Sequence, residues 1–392
     1  MSRLLMFIIF ITVGTLVISL IHYYIWMRFI RDTGIPGDFR LYTSYALIAL
    51  ASMFPISILL SRTLPYQVSF ILSWIAYLWL GMMMLLFFST FMMDVFNGLT
   101  FLFYKFKSST QNVPMNTERR EFLRQSFAIG TSFVVLGMAS CGVYTYLTKA
   151  KVKKISVKIN NLPDVFNGFR IVQISDLHIG QLMTKKTLAD IVDTVNALKP
   201  DLIAITGDLA DGSIHKLKGE ITPLQTLKAE YGTYFVTGNH EYYNGVDSWI
   251  KAVNDLGIRV LHNENIKIEK GNAFFYLVGV PDHEGKRFGK NHAPDFKKAF
   301  SEIDKDAPSV LLAHQPFAVK EASIYGANLV LSGHTHGGQI WPFNYMVYLQ
   351  QPYLKGMYEH NGSKLYVNQG TGCWGPPMRI GSYNEITEII LS

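Results

Sequence analysis

The sequence is poor in cysteine and in charged residues. Its 392 residues contain only two cysteines, Cys141 and Cys373, so no disulfide framework is present and a cysteine-rich zinc module is excluded. Charged residues make up 17% of the chain, whereas ordinary soluble domains contain roughly 25%. Hydrophobic residues make up 49%, so a block of apolar sequence must dilute the charge. Internal repeats and low-complexity segments are also lacking in this sequence.

The positive net charge does not indicate a nucleic-acid partner. The formal net charge of +7 is modest for a chain of this length. Part of it lies in short segments that flank apolar runs, where basic residues set the orientation of membrane helices. We therefore expect the chain to bind no nucleic acid.

Long apolar runs predict a membrane region. Residues 4–26 contain no Asp, Glu, Lys or Arg and only His22 as a side chain that titrates near neutral pH, and they are long enough to cross a hydrocarbon core of about 30 Å as a helix. Residues 41–61 repeat this pattern, and residues 66–104 carry only Asp94 as a charge. At about 1.5 Å per residue this last run is about 58 Å long, too long for one span. The third span is therefore predicted at 68–92, and residues 95–104 are predicted to lie at the membrane interface.

A fourth apolar run completes the predicted domain organisation. Residues 1–104 form a transmembrane region with three spans, 105–124 a polar connector, 125–148 a fourth transmembrane helix and 149–392 a soluble domain. A secretory signal peptide would have an apolar region of about 7–15 residues, which is shorter than the run at 4–26. We expect a multi-pass protein of the cell membrane, with the lipid bilayer as a partner.

The basic residues favour one orientation of the soluble domain. Lys and Arg are slightly more numerous on the inner side when the amino terminus is placed outside. Arg119 and Arg120, within residues 118–124, resemble a twin-arginine export signal, although they are equally interpretable as basic flanks of the fourth run. Both features predict that the region after residue 150 is extracytoplasmic.

From Lys151 onward the pattern is that of a soluble α/β protein. Helical spacing at 187–198 and 248–256 alternates with short apolar runs, which predicts sheets covered by helices. The predicted strands lie at 155–159, 169–174, 202–205, 233–237, 274–280, 309–313, 327–331 and 364–367.

Five of these strands are followed directly by side chains that bind metals. The carboxyl ends of strands are where α/β sheets build ligand sites. Asp and Asn beside Gly are also common turn residues, but turns alone do not explain why all five strands end this way. The side chains concerned are Asp176, His178, Asp208, Asn239, His314, His334 and His336.

This set of ligands predicts two divalent metal ions. Seven imidazole, carboxylate and amide groups exceed what one tetrahedral zinc ion needs, and they suit two transition ions that share a bridge. Such a pair can bind both the attacking and the leaving oxygen of an in-line displacement at phosphorus, and it can lower the pKa of a bridging water towards about 7. The predicted chemistry is hydrolysis of a phosphate ester by a bridging hydroxide. Mn, Fe, Zn and Co all remain candidates for the metals.

The same residues resemble the calcineurin-like metallophosphoesterase family, in particular its membrane-bound bacterial branch. The resemblance covers roughly residue 155 to the carboxyl terminus. It implies an α/β (α+β) fold, a four-layer αββα sandwich of two mixed sheets, here preceded by an all-α transmembrane region of about four helices. It rests on the blocks Asp176-Leu-His178, Gly207-Asp208-Leu-Ala-Asp211, Gly238-Asn239-His240-Glu241, His314-Gln-Pro and Gly333-His334-Thr-His336.

The resemblance also implies a role for each residue. One metal would be held by Asp176, His178 and His336, and the other by Asn239, His314 and His334. Asp208 would bridge the two metals and so be catalytic as well. His240 would be the catalytic acid that protonates the leaving oxygen, although it is also interpretable as an ordinary loop histidine. Asp211 is predicted to be structural.

Further stretches bear on the substrate. Residues 282–296 collect basic side chains that would grip a phosphorylated headgroup or form a solvated loop. Residues 341–358 are rich in aromatic side chains, which suit a membrane interface or acyl chains, or else pack on the sheet. Arg379 is predicted to contact the substrate phosphate, and Cys373 is not predicted to be a nucleophile.

The favoured function is that of a membrane-anchored phosphoesterase with two metals. Its substrate would be a phosphate monoester, diester or pyrophosphate of a phosphorylated lipid or small cell-envelope compound. One alternative is a cytoplasm-facing pyrophosphatase acting on a nucleotide-linked acyl sugar. Another is a non-catalytic membrane receptor or scaffold with a structural metal site.

Overall fold

The chain forms two compact units. The structure, a computed structural model, describes residues 3–60, 64–107, 117–180, 182–304 and 306–392. The first unit comprises Met1–Gly142 and the second Val143–Ser392.

The described part of the first unit consists of long apolar helices. Each of the four is long and apolar enough to cross a membrane, as the sequence predicts. Their bounds are α1, Arg3–Trp26; α2, Gly37–Leu60; α3, Tyr66–Phe106; and α4, Thr117–Leu147, whose last residues belong to the second unit.

The helix bounds differ from the predicted spans at two places. Helix α3 continues without interruption to Phe106, so no break separates the predicted span at 68–92 from the predicted interfacial segment at 95–104. Asn97 and Gly98 interrupt the apolar side chains of that segment but do not end the helix. The predicted polar connector at 105–124 is partly helical, because α4 already begins at Thr117. Its middle lies outside the described residues.

Asp94 is paired inside the first unit. Its carboxylate lies 2.8 Å from Nη2 of Arg28 and accepts a hydrogen bond of 2.5 Å from the Tyr24 hydroxyl. An unpaired charge within an apolar helix bundle would be costly. The pairing explains how α3 tolerates a carboxylate in a long apolar run.

The described part of the second unit contains twelve strands in two mixed sheets. The first sheet has the order β1-β12-β2-β3-β4-β5 and the second β10-β11-β9-β8-β7-β6. In the first sheet β2, β3, β4 and β5 run parallel, as do β7, β8, β9 and β11 in the second. The bounds are β1, Lys151–Val157; β2, Arg170–Ile174; β3, Leu202–Ile205; β4, Thr233–Phe235; β5, Arg259–Val260; β6, Glu264–Lys270; β7, Ala273–Gly279; β8, Ser309–Leu312; β9, Leu329–Ser332; β10, Gly356–His360; β11, Ser363–Val367; and β12, Glu385–Leu391.

Helices cover the outer faces of both sheets. Those on the first sheet include α5 and α8, and those on the second include α9 and α10. Several are single turns that carry loop residues towards the site. The bounds are α5, Lys185–Ala197; α6, Ile214–Leu217; α7, Asn239–Tyr243; α8, Val246–Asp255; α9, Phe296–Ala299; α10, Val319–Ala322; and α11, Asn344–Gln350.

Three apolar layers hold the sheets and helices together. The middle layer lies between the sheets and joins Ile171 and Leu202 of the first to Leu277 and Val310 of the second, all fully buried. The outer layers pack α5 and α8 on one side and α9 and α10 on the other. This confirms the predicted sandwich of two mixed sheets flanked by helices.

Candidate metal centre

The loops after five parallel strands bring all seven predicted ligands to one site. Strands β2, β3 and β4 of the first sheet and β8 and β9 of the second end beside each other, because each runs parallel to its neighbour in the same sheet. Six of the seven side chains are buried, and His334 is half-buried. The sequence prediction that these residues meet therefore agrees with the structure.

Five of these residues have an unusual backbone conformation. The φ angles are positive, in the left-handed region that non-glycine residues rarely adopt. Each such residue costs of order 1–3 kcal/mol, and such residues cluster at functional sites. The residues are Asp176 (φ 53°), His178 (47°), Asp208 (53°), His334 (71°) and His336 (51°).

Three glycines make room for the ligands. A Cβ at Gly207 would meet the imidazole of His314, one at Gly238 would meet the Asp208 carboxylate, and one at Gly333 would meet the side chains of Ser175 and Asp176. Each glycine directly precedes a predicted ligand in the sequence. The Gly-Asp, Gly-Asn and Gly-His pairs therefore reflect close approach of the strand ends.

Asp176, His178 and His336 form the first group of candidate ligands. Nε2 of His336 lies 3.1 Å from Nε2 of His178 and 3.4 Å from Oδ1 of Asp176. The Asp176 carboxylate also accepts hydrogen bonds from the Ser175 hydroxyl, at 2.6 Å, and from the backbone N–H of His334, at 2.9 and 3.0 Å. These bonds fix the orientation of the carboxylate.

Asn239, His314 and His334 form the second group. Nε2 of His314 lies 3.2 Å from Oδ1 of Asn239 and 3.2 Å from Nδ1 of His334. The other ring nitrogen of His314, Nδ1, is 2.8 Å from the Thr206 carbonyl oxygen, so Nδ1 carries the hydrogen and Nε2 faces the site.

Asp208 lies between the two groups. Its Oδ2 is 3.2 Å from Nε2 of His314 in the second group and 3.8 Å from Nε2 of His178 in the first. Its Oδ1 accepts a hydrogen bond of 2.9 Å from the backbone N–H of His240. A carboxylate in this position suits the predicted bridging role.

The donor set fits divalent transition ions. Burial lowers the pKa of His178 to about 4 and that of His334 to about 3, and it holds the pKa of His336 well below its usual range. Neutral imidazoles offer lone pairs, and the facing Nε2 atoms of His178 and His336 are placed to bind one cation. Burial also disfavours charge on His314, but the adjacent Asp208 carboxylate outweighs it and raises that pKa well above the ordinary value.

Glu241 holds the loops of two candidate ligands together, a role that the sequence analysis missed. Its buried carboxylate accepts hydrogen bonds from the backbone N–H groups of Gly238 (2.7 Å), Ala210 (2.9 Å) and Asp208 (3.1 Å). Burial raises the pKa of this carboxyl to about 7. Its position three residues after Gly238, at the start of α7, has capping-box spacing and was the available signal.

His240 lies beside the first group with a carboxylate behind it. Its ring centroid is 4.6 Å from that of His178, and its Nδ1 is 3.6 Å from Oδ1 of Asp211. Burial alone would lower the pKa of His240, but the carboxylates of Asp208 and Asp211 outweigh burial and raise it to about 9. Asp211, predicted to be only structural, therefore acts on His240 directly.

Arg379 does not face a substrate phosphate, contrary to the sequence prediction. It is only 1% exposed, and its Nε donates to Oδ1 of Asn384 at 3.2 Å. A guanidinium has five N–H groups, so this pattern leaves no donor for a phosphate. The remaining four donate to the backbone carbonyls of His336 (2.9 Å), Gln369 (2.7 Å), Gly370 (3.0 Å) and Gly372.

Asn384 extends this network to the end of α4. While Oδ1 of Asn384 accepts from Arg379, its Nδ2 donates to the carbonyl of Tyr146 at 2.8 Å. The Tyr146 hydroxyl in turn donates to the carbonyl of Leu182, in the loop that follows His178, at 3.2 Å. The last turn of α4 is therefore hydrogen-bonded to loops on either side of the first ligand group.

The other predicted stretches divide between core and surface. Asp282 is buried and accepts hydrogen bonds from the Gln315 amide at 2.9 and 3.0 Å, beneath a cavity of about 160 Å³ that His283 and Lys286 also line. Tyr353 packs on the second sheet, whereas residues 341–349 are largely exposed.

Burial raises the pKa of the Cys373 thiol to about 11, which agrees with its exclusion as a nucleophile.

Replacement of Glu241 by alanine is expected to weaken metal binding. Loss of the carboxylate leaves three buried N–H groups without an acceptor and frees the loops of Asp208 and Asn239. Removing such support typically costs about 10–100-fold in metal affinity. Titration of the purified full chain with Mn²⁺ measures the effect, and the exposed Glu230→Ala variant is the control. Unchanged affinity in a folded Glu241→Ala protein would show that Glu241 does not support the site.

Sequence comparisons identify the family of this chain. A family model described as calcineurin-like phosphoesterase matches residues 169–338. The chain is 36% identical over 291 residues to a metallophosphoesterase of Helicobacter pylori, with 74% of this chain and 76% of that protein covered. It is 31% identical over 290 residues to the metallophosphoesterase YkuE of Bacillus subtilis, with coverage of 70% and 97%.

One vertebrate relative is described as a transmembrane protein. A transmembrane protein with metallophosphoesterase domain from Danio rerio is 34% identical over 330 residues, with 82% of this chain and 74% of that protein covered. Together with the four apolar helices, this relative indicates a membrane protein. The chain belongs to the calcineurin-like metallophosphoesterases, metal-dependent hydrolases of phosphoric esters that normally bind a dinuclear metal centre.

Proposed function

We propose that this chain cleaves a phosphate ester or pyrophosphate bond at the cluster described above, with Asp208 and His240 as catalytic residues. The observation that carries the proposal is the convergence of seven ligand side chains from two sheets, with His240 against them. A scaffold with a structural metal site would not need a second group of ligands, or His240 beside them with the Asp211 carboxylate behind its ring.

The proposed reaction is an in-line displacement at phosphorus. Two divalent ions would neutralise charge on the phosphate and supply a water of lowered pKa. Asp208 would hold both ions, because its Oδ2 lies within 3.8 Å of both ligand groups. His240 would donate its proton to the leaving oxygen, and Asp211 would keep that imidazole protonated and oriented.

The proposed substrate is a phosphorylated lipid or a small compound of the cell envelope. Two exposed aromatic residues support an apolar leaving group. The rings of Tyr243 and Trp374 lie 5.6 and 5.9 Å from that of His240 and are 58% and 53% exposed as residues. Aromatic faces beside the acid suit an acyl or other apolar group, and the four apolar helices hold the chain in a membrane where such compounds occur.

Removal of either catalytic residue is expected to abolish or strongly reduce hydrolysis. Asp208→Ala should eliminate activity of the full chain with Mn²⁺ on a nitrophenyl phosphate ester. His240→Ala should lose about 10²–10⁴-fold on an alkyl ester, because a poor leaving group needs the proton. The loss should be smaller on the nitrophenyl ester, whose phenolate leaves without protonation. Asp211→Asn should show the same dependence on the leaving group, with a smaller loss.

A matched control is available for these measurements. His215 is an exposed histidine in α6, so His215→Ala should retain full activity. Wild-type rates in Asp208→Ala would contradict the proposed centre. A His240→Ala loss that is equal for both esters would contradict its role as the acid.

The catalytic domain is proposed to be extracytoplasmic, which the distribution of basic residues and the Arg119-Arg120 pair support. Two reporters fused after Ser392 test on which side of the membrane the catalytic domain lies. We expect an alkaline phosphatase fusion to be active and a green fluorescent protein fusion to be dark. The reverse result would place the domain inside and favour the pyrophosphatase acting on a nucleotide-linked acyl sugar.

A further inference from the structure

An exposed apolar segment follows the loop of His334 and His336. We call residues 341–349 the aromatic segment. From residue 339 to residue 354 the sequence contains no charged side chain. Trp341 is 49% exposed, Tyr345 62%, Tyr348 46% and Leu349 78%. This is a dense run of large apolar side chains on the surface of a catalytic domain.

Within the described structure, the helix of this segment contacts the His336–Gly338 turn but buries no side chain on the domain. Helix α11, Asn344–Gln350, contains no buried residue. Most helices in proteins are stabilised by burying one face, and an isolated helix this short is not stable in water. An uncharged short helix of Tyr, Met, Val and Leu therefore indicates a surface that is covered by something apolar.

The aromatic segment is attached to the part of the domain that binds the last turn of α4. The backbone N–H of Trp341 donates to the backbone carbonyl of Ile380 at 2.9 Å. The Ser382 hydroxyl donates to the backbone carbonyl of Gln339 at 3.0 Å. Two residues further on, Asn384 donates to the carbonyls of Tyr146 (2.8 Å) and Thr148 (3.4 Å). Residues 380–384 thus carry the segment on one side and the end of an apolar, membrane-length helix on the other.

We propose that the aromatic segment docks onto the lipid surface of the bilayer that α4 enters, at the level of the headgroups. Trp and Tyr are enriched at this depth because they combine an apolar ring with a polar atom. Helices that lie in the interface bury their apolar side chains there. The absence of charge fits a docking surface that relies on apolar and aromatic contact.

Docking would place the metal-ligand loop at the lipid surface. His336 is five residues before Trp341, and the intervening loop is fixed by Gln339, which bonds to the carbonyl of Trp374 at 2.7 Å. A phosphate carried on a membrane lipid could then reach the site without leaving the bilayer. This consequence rests on the proposed function, whereas the docking itself does not.

A fluorescent label measures docking without reference to activity. The full chain, with Cys141→Ala and Cys373→Ala, is reconstituted in phosphatidylcholine nanodiscs and labelled with nitrobenzoxadiazole at Leu349→Cys. Ile324→Cys is the matched control, because Ile324 is also 78% exposed but lies on a separate turn over the second sheet. Lipids that carry a nitroxide near the headgroup serve as the quencher.

The two labels are expected to behave differently. An interfacial helix buries its apolar face about 5–10 Å into the headgroup region, so the label at 349 should have blue-shifted emission and lose more than half of it to nitroxide lipid. The label at 324 should remain solvent-exposed and unquenched. Quenching at neither position, or equally at both, would overturn the proposal. A label at 349 that is shielded from aqueous iodide yet unquenched by lipid would assign the surface to a protein partner or a second copy, and would also overturn it.

An activity measurement separates docking from the proposed function. Leu349→Ser with Tyr345→Ser should lower kcat/KM about ten-fold on a long-chain phosphate ester embedded in nanodiscs, because the lost side chains no longer hold the site at the surface. The same variant should leave hydrolysis of a soluble nitrophenyl ester unchanged, as should Ile324→Ser on both substrates. Equal losses on both esters would contradict a docking role. Lipid quenching at 349 in a protein that hydrolyses no ester would retain the docking proposal and reject the proposed function.

Discussion

The structure depends on a cluster of candidate metal ligands that converge at the strand ends of two sheets. Nε2 of His336 lies 3.1 Å from Nε2 of His178, and Nε2 of His314 is 3.2 Å from oxygens of Asp208 and Asn239. Such a cluster is stable only when cations occupy it or when the surrounding backbone forces it. The backbone constraint is visible in the left-handed angles of five ligands, and the donor types suit transition ions. The two-sheet sandwich places the ends of five strands beside the candidate metal centre.

The supporting residues lie behind the ligands. Glu241 accepts three backbone N–H groups from the loops of Asp208 and Asn239, and Arg379 gathers four backbone carbonyls, including that of His336. Glu241 and Arg379 thus satisfy buried backbone N–H and carbonyl groups that would otherwise need hydrogen bonds to water. Asn384 links the arginine to the last turn of α4, so the helix end, the loop of His336 and the aromatic segment share one hydrogen-bonded stretch of chain. Under the proposed docking, this stretch of chain would connect the metal-ligand loop to the lipid surface.

Much of the site is predictable from the sequence because each ligand follows an apolar strand. Residues 202–205, four consecutive apolar side chains, form β3 with the predicted bounds. Strand β6 was missed although Ile266 and Ile268 alternate with polar residues in it, because only these two apolar side chains carry the pattern and Ile268 alone is buried. Strand β12 was missed because it begins at Glu385, whose burial depends on hydrogen bonds from Tyr366 and Gln369, 19 and 16 residues earlier in the sequence. Arg379 was assigned to phosphate because nothing local reveals that its donors are taken by carbonyls of distant loops. Tertiary contacts of this kind leave no local pattern.

We expect the seven side chains to hold two metal ions. The most direct measurement is the metal content of the purified full chain after loading with Mn²⁺, alongside single alanine variants of His336 and His334. Wild-type protein should contain two ions per chain and each variant one, with His336→Ala retaining the ion of the second group and His334→Ala that of the first. One ion or none in wild-type protein that hydrolyses phosphate esters would contradict it.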